Sequence, residues 1–300
     1  MDMLVTKPAI AKGLFFPPVD QYPGKHRHTA AAASVAHFRN MLDARFCHAS
    51  TLANTVTALK DLVSECNVDC DASGMSLQAM DSSHVSLCSL HMASKGFEHY
   101  ECQQSISLGI NLVSLGKVLK CMGTDGSLSL QSQPNGDRLS LMCKSGDRES
   151  HFELNLMDIE NDRLGIPDVQ YTSTVTLPSS EFQRICRDLS VLGDTCVVVC
   201  RSDSLTFRVD NGDIGRGSIT ILPGSGTCAS ADDMSVSIDV TTPLDMMFSL
   251  KYLNMFAKST PLAPTVTLSM TENMPIRVHY PIDGLGHLRF YLAPKINDDS

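Results

Sequence analysis

The stretches SLGKVLKCMGTDGSLSL (residues 114–130) and SLKYLNMFAKSTPLAPTVTLSM (residues 249–270) follow the same plan, and this repetition decides the predicted fold. Each begins with apolar residues at helical spacing, continues through a polar turn containing glycine or proline, and ends in alternating apolar and polar residues. The same helix–turn–strand pattern in both halves of the chain indicates an internal duplication.

Helical and strand-like patterns also alternate outside these two stretches. Helices are predicted in STLANTVTALKDLV (50–63), NLVSLGKVLKCMG (111–123), SSEFQRICRDLSVLG (179–193, with Ser180 as N-cap) and PLDMMFSLKYLNMFAK (243–258). Short strands are predicted in SLSL, TCVVVC, SLTFRV, GSITIL, MSVSIDV and TVTLSM. Two halves with about two helices each among many strands predict an α+β fold, with helices on one face of largely antiparallel sheets.

The composition excludes several classes of protein. With 300 residues, 43% of them hydrophobic and 19% charged, the chain can bury one large core or two ordinary ones. No apolar run approaches the roughly 18 residues of a membrane span. The net charge of -9 argues against a protein coated everywhere by nucleic acid, but it allows a local basic surface.

The eleven cysteines form no C-x-x-C pair, and Cys196 and Cys200 share one face of the predicted strand TCVVVC. Buried reduced thiols are therefore favoured over metal ligands or disulfides, which fits the cytosol or nucleus. Residues 1–40 contain five Lys or Arg, two acids and four prolines without periodicity, so we expect a disordered extension.

Cations recur on the polar faces of the predicted helices, with few acids among them. They are Lys60, Lys117, Lys120, Arg184, Arg187, Lys251 and Lys258. Surface helices often carry lysines, but cations on all four helices of an acidic chain predict a basic stripe if the duplication brings these helices together. Such a stripe contacts phosphates without reading sequence.

Motifs of catalysis and metal binding are missing from the sequence. It has no G-x-x-x-x-G-K-[ST], H-E-x-x-H, G-x-S-x-G or strand-linked G-x-G-x-x-G pattern. DCDASG (69–74) begins like a calcium loop, but Met80 stands where a bidentate Glu is required, so we predict a hairpin turn. His84 and His287 lack partners at ligand spacing. We therefore predict no catalytic residue, no metal and no cofactor.

Six blocks together resemble the eukaryotic sliding clamp family, proliferating cell nuclear antigen (PCNA), in order from Met41 to Ser300. They are LQAMDSSHVSL, NLVSLGKVLKC, LMDIENDRLGIPDVQY, EFQRICRDLS, YLNMFAKSTPL and GHLRFYLAPKI. The resemblance implies the DNA clamp fold with two similar domains, at 41–155 and 174–300, joined by an interdomain connecting loop at 156–173. It also implies a closed homotrimeric ring, with helices lining the hole around duplex DNA and sheets outside.

The resemblance further implies a docking site for partners that carry a PIP-box, a short motif with a helix and an aromatic plug. Its residues would be Met80, His84, Val85, Leu164, Gly165, Ile166, Pro167, Pro275, Tyr291, Ala293 and Pro294. Independently, Pro167 favours an extended Ile166, so Leu164 and Ile166 would form a small exposed apolar patch. The alternative is that these two side chains pin the connector to the body.

Ring closure needs head-to-tail contacts. The resemblance implies that RESHFEL (148–154) pairs with GSITIL (217–222) of the next subunit. The implied interface residues are Arg148, Phe152, Leu154, Gly217, Ile219 and Ile221. The chain departs from the family pattern at two places. Ala53 and Asn54 replace a usual lysine pair, and Arg201 and Ser202 stand where relatives carry a lysine used for ubiquitin or SUMO attachment.

The function implied by the resemblance is that of a nuclear processivity factor without catalysis. Its partners would be duplex DNA, a clamp loader, a replicative polymerase, a flap endonuclease, a DNA ligase and other PIP-box proteins, and no membrane. Two alternatives remain open at this point. One is an adaptor or checkpoint-clamp subunit that binds peptides in a heterotrimer, and the other is an enzyme that uses one of the cysteines.

Overall fold

The computed structural model describes residues 40–134, 136–160, 169–224 and 235–295, all within a compact unit that begins at Phe38. The described part of the first half contains nine strands and two helices. In chain order they are β1 (Leu42–Phe46), α1 (Ala49–Leu59), β2 (Glu65–Asp71), β3 (Gly74–Met80), β4 (Ser86–Ala93), β5 (His99–Cys102), β6 (Ile106–Asn111), α2 (Leu112–Met122), β7 (Ser127–Ser132), β8 (Arg138–Ser145) and β9 (Arg148–Asn155).

The described part of the second half repeats this order element by element. It contains β10 (Ser173–Pro178), α3 (Ser179–Leu189), β11 (Thr195–Arg201), β12 (Ser204–Asn211), β13 (Gly215–Ile221), β14 (Ser237–Val240), β15 (Leu244–Ser249), α4 (Leu250–Phe256), β16 (Thr265–Met270), β17 (Ile276–Ile282) and β18 (Gly286–Leu292). A 3₁₀ turn (Ala257–Leu262) follows α4. The predicted duplication and the α+β class are confirmed.

The strands form three antiparallel sheets whose orders are β5-β1-β7-β8-β9, β14-β10-β16-β17-β18-β4-β3-β2-β6 and β13-β12-β11-β15. The first sheet has its counterpart in β14-β10-β16-β17-β18, and the third has its counterpart in β4-β3-β2-β6. The nine-stranded sheet therefore consists of one sheet from each half, joined where β18 pairs with β4 from Gly286↔Met92 to Leu292↔Ser86.

The helices pack side by side in one layer against these sheets. Helix α1 contacts α2, and both α1 and α3 contact α4 and the 3₁₀ turn. Asn254 of α4 donates a hydrogen bond to the carbonyl of Cys186 in α3 at 3.1 Å, and Gln183 donates to the carbonyl of Ala257 at 2.9 Å. The predicted apolar stripes are confirmed, because Leu52, Val56, Leu115, Leu119, Phe182 and Ile185 are all buried.

Two local predictions are wrong. The helix predicted over 243–258 begins only at Leu250, because Leu244, Met246 and Phe248 alternate on the buried face of β15, which pairs with β11. The predicted N-cap Ser180 lies inside α3, which begins one residue earlier. Ser179 is buried there, and its hydroxyl donates to the carbonyl of Ala263. Among the described residues, no helix has the length and apolar character needed to cross a bilayer.

Candidate functional site

The seven cations predicted to contact DNA all lie on the helical layer. Six are exposed and Lys60 is half-buried. The Cδ atom of Lys60 lies against α2, 3.5 Å from the place that a Cβ on Gly116 would take. Lys60 therefore lies close to the helix that carries Lys117 and Lys120. The sequence had predicted Lys258 at the end of the last helix, but Lys258 belongs to the 3₁₀ turn that follows α4.

Three of these cations are paired with acids, which corrects the prediction that few acids lie among them. Lys258 forms an ion pair with Asp61 at the end of α1. Arg184 contacts Glu181 at 2.7 Å, and Arg187 contacts its neighbour Asp188 at 3.2 Å. Within the described ranges, Lys60, Lys117, Lys120 and Lys251 form no ion pair. The unneutralised charge of the layer is thus carried by lysines on α1, α2 and α4.

The turn between β3 and β4 is organised by one carboxylate, Asp81. The side chain of Asp81 accepts backbone hydrogen bonds from Ser83 at 2.9 Å, Val85 at 2.9 Å and Ser86 at 2.7 Å. Burial acts to raise the pKa of Asp81, but these bonds and one from the hydroxyl of Tyr252 outweigh it and hold the pKa below its usual value. They also stabilise a left-handed backbone at His84, with φ of 58°.

A cleft of about 250 Å³ lies beside this turn. It is lined by Glu65, Cys66, Asn67, Gln78, Ala79, Met80, His84, Leu87, Ile159 and Glu160. The first residues of the predicted connector form its wall, because Asn67 donates a 2.9 Å hydrogen bond to the carbonyl of Ile159. Met157 pairs with Gly109 of β6, where a Cβ would lie only 2.0 Å from the Met157 carbonyl oxygen.

Of the described residues predicted for peptide docking, Met80 and His84 line this cleft, whereas Val85, Pro275, Tyr291, Ala293 and Pro294 are not among its lining residues. Tyr291 of β18 lies directly opposite Leu87, a residue of the cleft wall. The backbone N–H of Ala293 donates to the carbonyl of Val85 at 3.0 Å. Pro275 precedes β17 and Pro294 follows β18. The predicted residues Leu164, Gly165, Ile166 and Pro167 lie outside the described residues.

The strands predicted to form the subunit interface are both edge strands. β9 ends the five-stranded sheet and β13 ends the four-stranded sheet. Phe152 is half-buried and Leu154 is buried on β9, whose Arg148 is exposed. On β13, Gly217 and Ile219 are half-buried and Ile221 is buried. Within the described residues, each of these strands therefore has one edge without a partner strand, beside apolar side chains.

The chain matches two family models, one for each half. Residues 41–164 match the N-terminal domain of proliferating cell nuclear antigen, and residues 165–295 match its C-terminal domain. The chain belongs to the PCNA family. Proteins of this family are DNA sliding clamps and not enzymes, which accords with a basic helical layer backed by antiparallel sheets. Residues 1–40 lie outside both PCNA matches.

Several thiols of this PCNA chain are less acidic than a free cysteine because they are buried. Burial raises the pKa of Cys66, Cys70, Cys88 and Cys196 to about 12. Cys196 and Cys200 share a buried face of β11, as the sequence predicted. The described residues hold no group of three or more metal-ligating side chains, and Asp71 instead accepts the backbone N–H of Ser73 at 2.7 Å in a hairpin turn.

One group of polar residues was missed by the sequence reasoning that led to PCNA. His91 of β4, Arg277 and His279 of β17, and His287 and Arg289 of β18 lie together on the outer face of the nine-stranded sheet. We call these five residues the histidine–arginine patch. The ring centroids of His91 and His287 are 5.7 Å apart, and those of His279 and His287 are 5.5 Å apart. Only the cross-strand register brings them together, since the sequence separates them by up to 198 positions.

Proposed function

We propose that this chain forms a closed homotrimer that encircles duplex DNA in the nucleus. It serves there as a polymerase processivity factor and as a docking platform for PIP-box replication and repair proteins. The observation that carries this proposal is the pairing of β18 with β4 inside the chain. By the internal repeat, β9 is the counterpart of β18 and β13 is the counterpart of β4, yet among the strands that the structure describes both lie at the edges of their sheets. Pairing β9 of one copy with β13 of the next would continue the same contact around a ring.

The internal repeat also supplies the register of this contact. Phe290 of β18 lies opposite Cys88 of β4. Judged from the pairs that each strand makes with its neighbouring strand, Phe152 corresponds to Phe290 and Gly217 corresponds to Cys88. We therefore expect Phe152 of one copy to lie opposite Gly217 of the next copy.

Size and charge both support this register. A Cβ on Gly217 would lie 2.4 Å from Cδ1 of Leu192, so only glycine fits here without a shift of Leu192. The missing side chain leaves room for the ring of Phe152 from the next copy. One residue further along, the register sets Glu153 opposite Arg216, and opposite charges in facing strands stabilise a pair. In the single chain these two side chains instead contact other residues, Arg138 and Asp210.

Membership of the PCNA family supports three copies and a DNA-facing helical layer. Three copies would bring about 21 helix cations around the hole, where they meet phosphates without fixing a register on the DNA. The exposed ion pairs of Arg184, Arg187 and Lys258 do not prevent this, because such pairs are worth only about 0–1 kcal/mol and can exchange for phosphate. The clamp then remains on DNA because the ring is closed, while each contact stays weak.

The cleft beside His84 supports the docking of PIP-box partners. It is lined by residues of the β3–β4 turn and by Ile159 and Glu160 at the start of the connector, and Tyr291 lies opposite its wall residue Leu87. The partners we propose are the clamp loader, a replicative polymerase, a flap endonuclease, a DNA ligase and other proteins with this motif.

Two measurements test the ring. Sedimentation of the purified chain should give a mass near three times 32.6 kDa. After loading by a clamp loader, the protein should remain on circular DNA and leave linear DNA through its ends. A monomer at micromolar concentration, or a trimer that forms only with a different clamp-fold chain, would contradict the homotrimer. Equal retention on circular and linear DNA would contradict encirclement.

A further inference from the structure

The histidine–arginine patch occupies adjoining positions on three neighbouring strands. His279 lies opposite Arg289, and His287 lies opposite His91. All five side chains are half-buried on the same face of the sheet. Two guanidinium groups and three imidazoles thus share one small area of a chain whose net charge is -9.

The two arginines of the patch are not neutralised within the described residues. Arg277 donates to the hydroxyl of Ser269 at 3.0 Å, and its guanidinium lies 4.5 Å from the ring centroid of Tyr171. Its Nε is buried without a hydrogen-bond partner among the described residues. Arg289 donates from Nε to Nδ1 of His279 at 3.2 Å. Neither arginine meets a carboxylate there, so both retain an unused positive charge.

The histidines add donors to this area. Since Nδ1 of His279 accepts a hydrogen bond, the proton of its neutral ring sits on Nε2, which remains a donor. Burial first, and then the charges of Arg289 and Arg277, lower the pKa of His279 to about 4. The same causes, together with His279 and His91, lower the pKa of His287 to about 4. Both rings are therefore neutral at pH 7.

Among the described residues, the acidic groups near the patch lie at the end that holds His91. Asp71 interacts electrostatically with His91, and Asp69 lies on β2 opposite Ser76, which faces His91. The residues opposite the arginine end are neutral, namely Ser269 and Thr267 on β16. The part of the patch around Arg277 and Arg289 is therefore complementary to an anion.

We propose that the histidine–arginine patch binds an anionic side chain, phosphorylated or carboxylate, of a peptide docked in the adjacent cleft. This proposal rests on the proposed docking function. Leu87 of the cleft wall lies opposite Tyr291, which lies opposite Arg277. Two strand spacings, about 10 Å, separate the cleft wall from Arg277. An extended peptide covers this distance in about three residues.

The experiment compares three forms of one PIP-box peptide by calorimetry. The first has neutral residues on both sides of the segment that enters the cleft. The second carries phosphoserine three residues to either side, and the third carries aspartate at the same places. Each is titrated into the wild-type chain, the variant Arg277→Gln/Arg289→Gln and the control Arg208→Gln. Arg208 is an exposed arginine on β12, outside the patch.

The phosphorylated peptide should bind the wild-type chain about 5- to 10-fold more tightly than the neutral peptide, and the aspartate peptide should fall between them. Both gains should shrink at higher salt and disappear in the double variant, while the control keeps them. Thermal unfolding of each variant verifies that it is folded.

The outcomes separate the two proposals. Equal affinity of the three peptides for the wild-type chain would overturn the patch and leave docking intact. Failure of every peptide to bind would overturn both docking and the patch. A gain that survives in the double variant, or that is lost equally in the control, would place the anion elsewhere and overturn the patch. A gain seen only with phosphoserine would restrict the ligand to a phosphate group.

Discussion

The hydroxyl of Tyr252 donates a 2.7 Å hydrogen bond to Oδ2 of Asp81, although 171 positions separate the two residues. Tyr252 belongs to α4 of the helical layer, and Asp81 organises the β3–β4 turn beside the peptide cleft. The bond therefore links the layer proposed to face DNA with the loop proposed to receive partners, across the two halves of the chain.

Replacing Tyr252 with Phe should weaken peptide docking, although it changes no residue that lines the cleft. Loss of the bond to Asp81 leaves the left-handed turn at His84 supported by backbone donors alone, so we expect lower affinity for a PIP-box peptide. The free energy of unfolding should fall by about 1 kcal/mol. Tyr100→Phe removes a similar 2.7 Å bond, to the carbonyl of Gly74, and serves as the control. Equal peptide affinity in wild type and Tyr252→Phe would contradict the link.

The predicted subunit register is testable by exchanging charges. Glu153→Arg or Arg216→Glu alone should weaken trimer formation, because like charges would then face each other across the interface. The double exchange should recover much of the loss, as measured by sedimentation at falling concentration. Glu101→Arg, on the other edge strand of the five-stranded sheet, is the matched control. If the double variant is no better than the singles, the register is wrong.

The size requirement at Gly217 gives a second test of the same contact. Gly217→Val would clash with Leu192 and displace β13, and Phe152→Ala would remove the ring that faces Gly217 in the proposed register. Both should yield monomers at concentrations where the wild-type chain is trimeric. Phe152→Tyr keeps the ring and should remain trimeric. A trimeric Phe152→Ala variant at low micromolar concentration would count against the interface.

Cations of the helical layer should differ in their effect on DNA. Because Lys117 and Lys120 have no acidic partner among the described residues, Lys117→Ala/Lys120→Ala should lower the salt dependence of DNA association more than Arg184→Ala/Arg187→Ala. Each lost phosphate contact lowers the slope of log K against log salt by about 0.9. Trimer mass should not change in either variant. Lys144→Ala on β8 is the control, and a slope that none of these changes affects would refute the basic lining.

The stability of the folded chain should fall as the pH falls from about 6.5 to about 4. In this window the unfolded chain protonates its histidines at a pKa of about 6.5. His279 and His287 of the folded chain stay neutral down to a pKa of about 4. The unfolded state then binds more protons, which destabilises the fold. Both rings are partly exposed, so we expect about 1 kcal/mol from each after solvent screening.

This pH effect is measured by thermal unfolding between pH 7.5 and pH 4.5. His279→Gln/His287→Gln should make stability depend less on pH in that range. The double change removes the two imidazoles whose pKa is lowered and keeps both arginines. His48→Gln, an exposed histidine before α1, should leave it as in wild type. The pKa of Asp81, held below its usual value, makes its own contribution at lower pH. An unchanged slope in the double variant would show that the imidazoles are not responsible.

Local sequence patterns were sufficient for most elements but not for their ends. The stripe Leu112, Leu115, Leu119 predicted α2 because a helix contacts the core through side chains that are close in sequence. The prediction of a helix through Leu244–Ser249 was wrong, because apolar residues there also satisfy period two and the partner strand β11 decides between them. The ion pair of Lys258 with Asp61 could not be predicted from the sequence either, because it joins residues from the two halves of the chain.

The sequence by itself determined the duplication, the apolar stripes of the helices, the buried thiols of β11 and the family of the chain. These depend on residue type and short spacing, which a linear pattern carries completely. The tertiary structure decided that β18 and β4 pair while β9 and β13 lie at the edges of the described sheets, and that His91, His279 and His287 meet beside two arginines. Both features depend on the register between strands far apart in sequence, which is set by the packing of the whole sheet and not by any one segment.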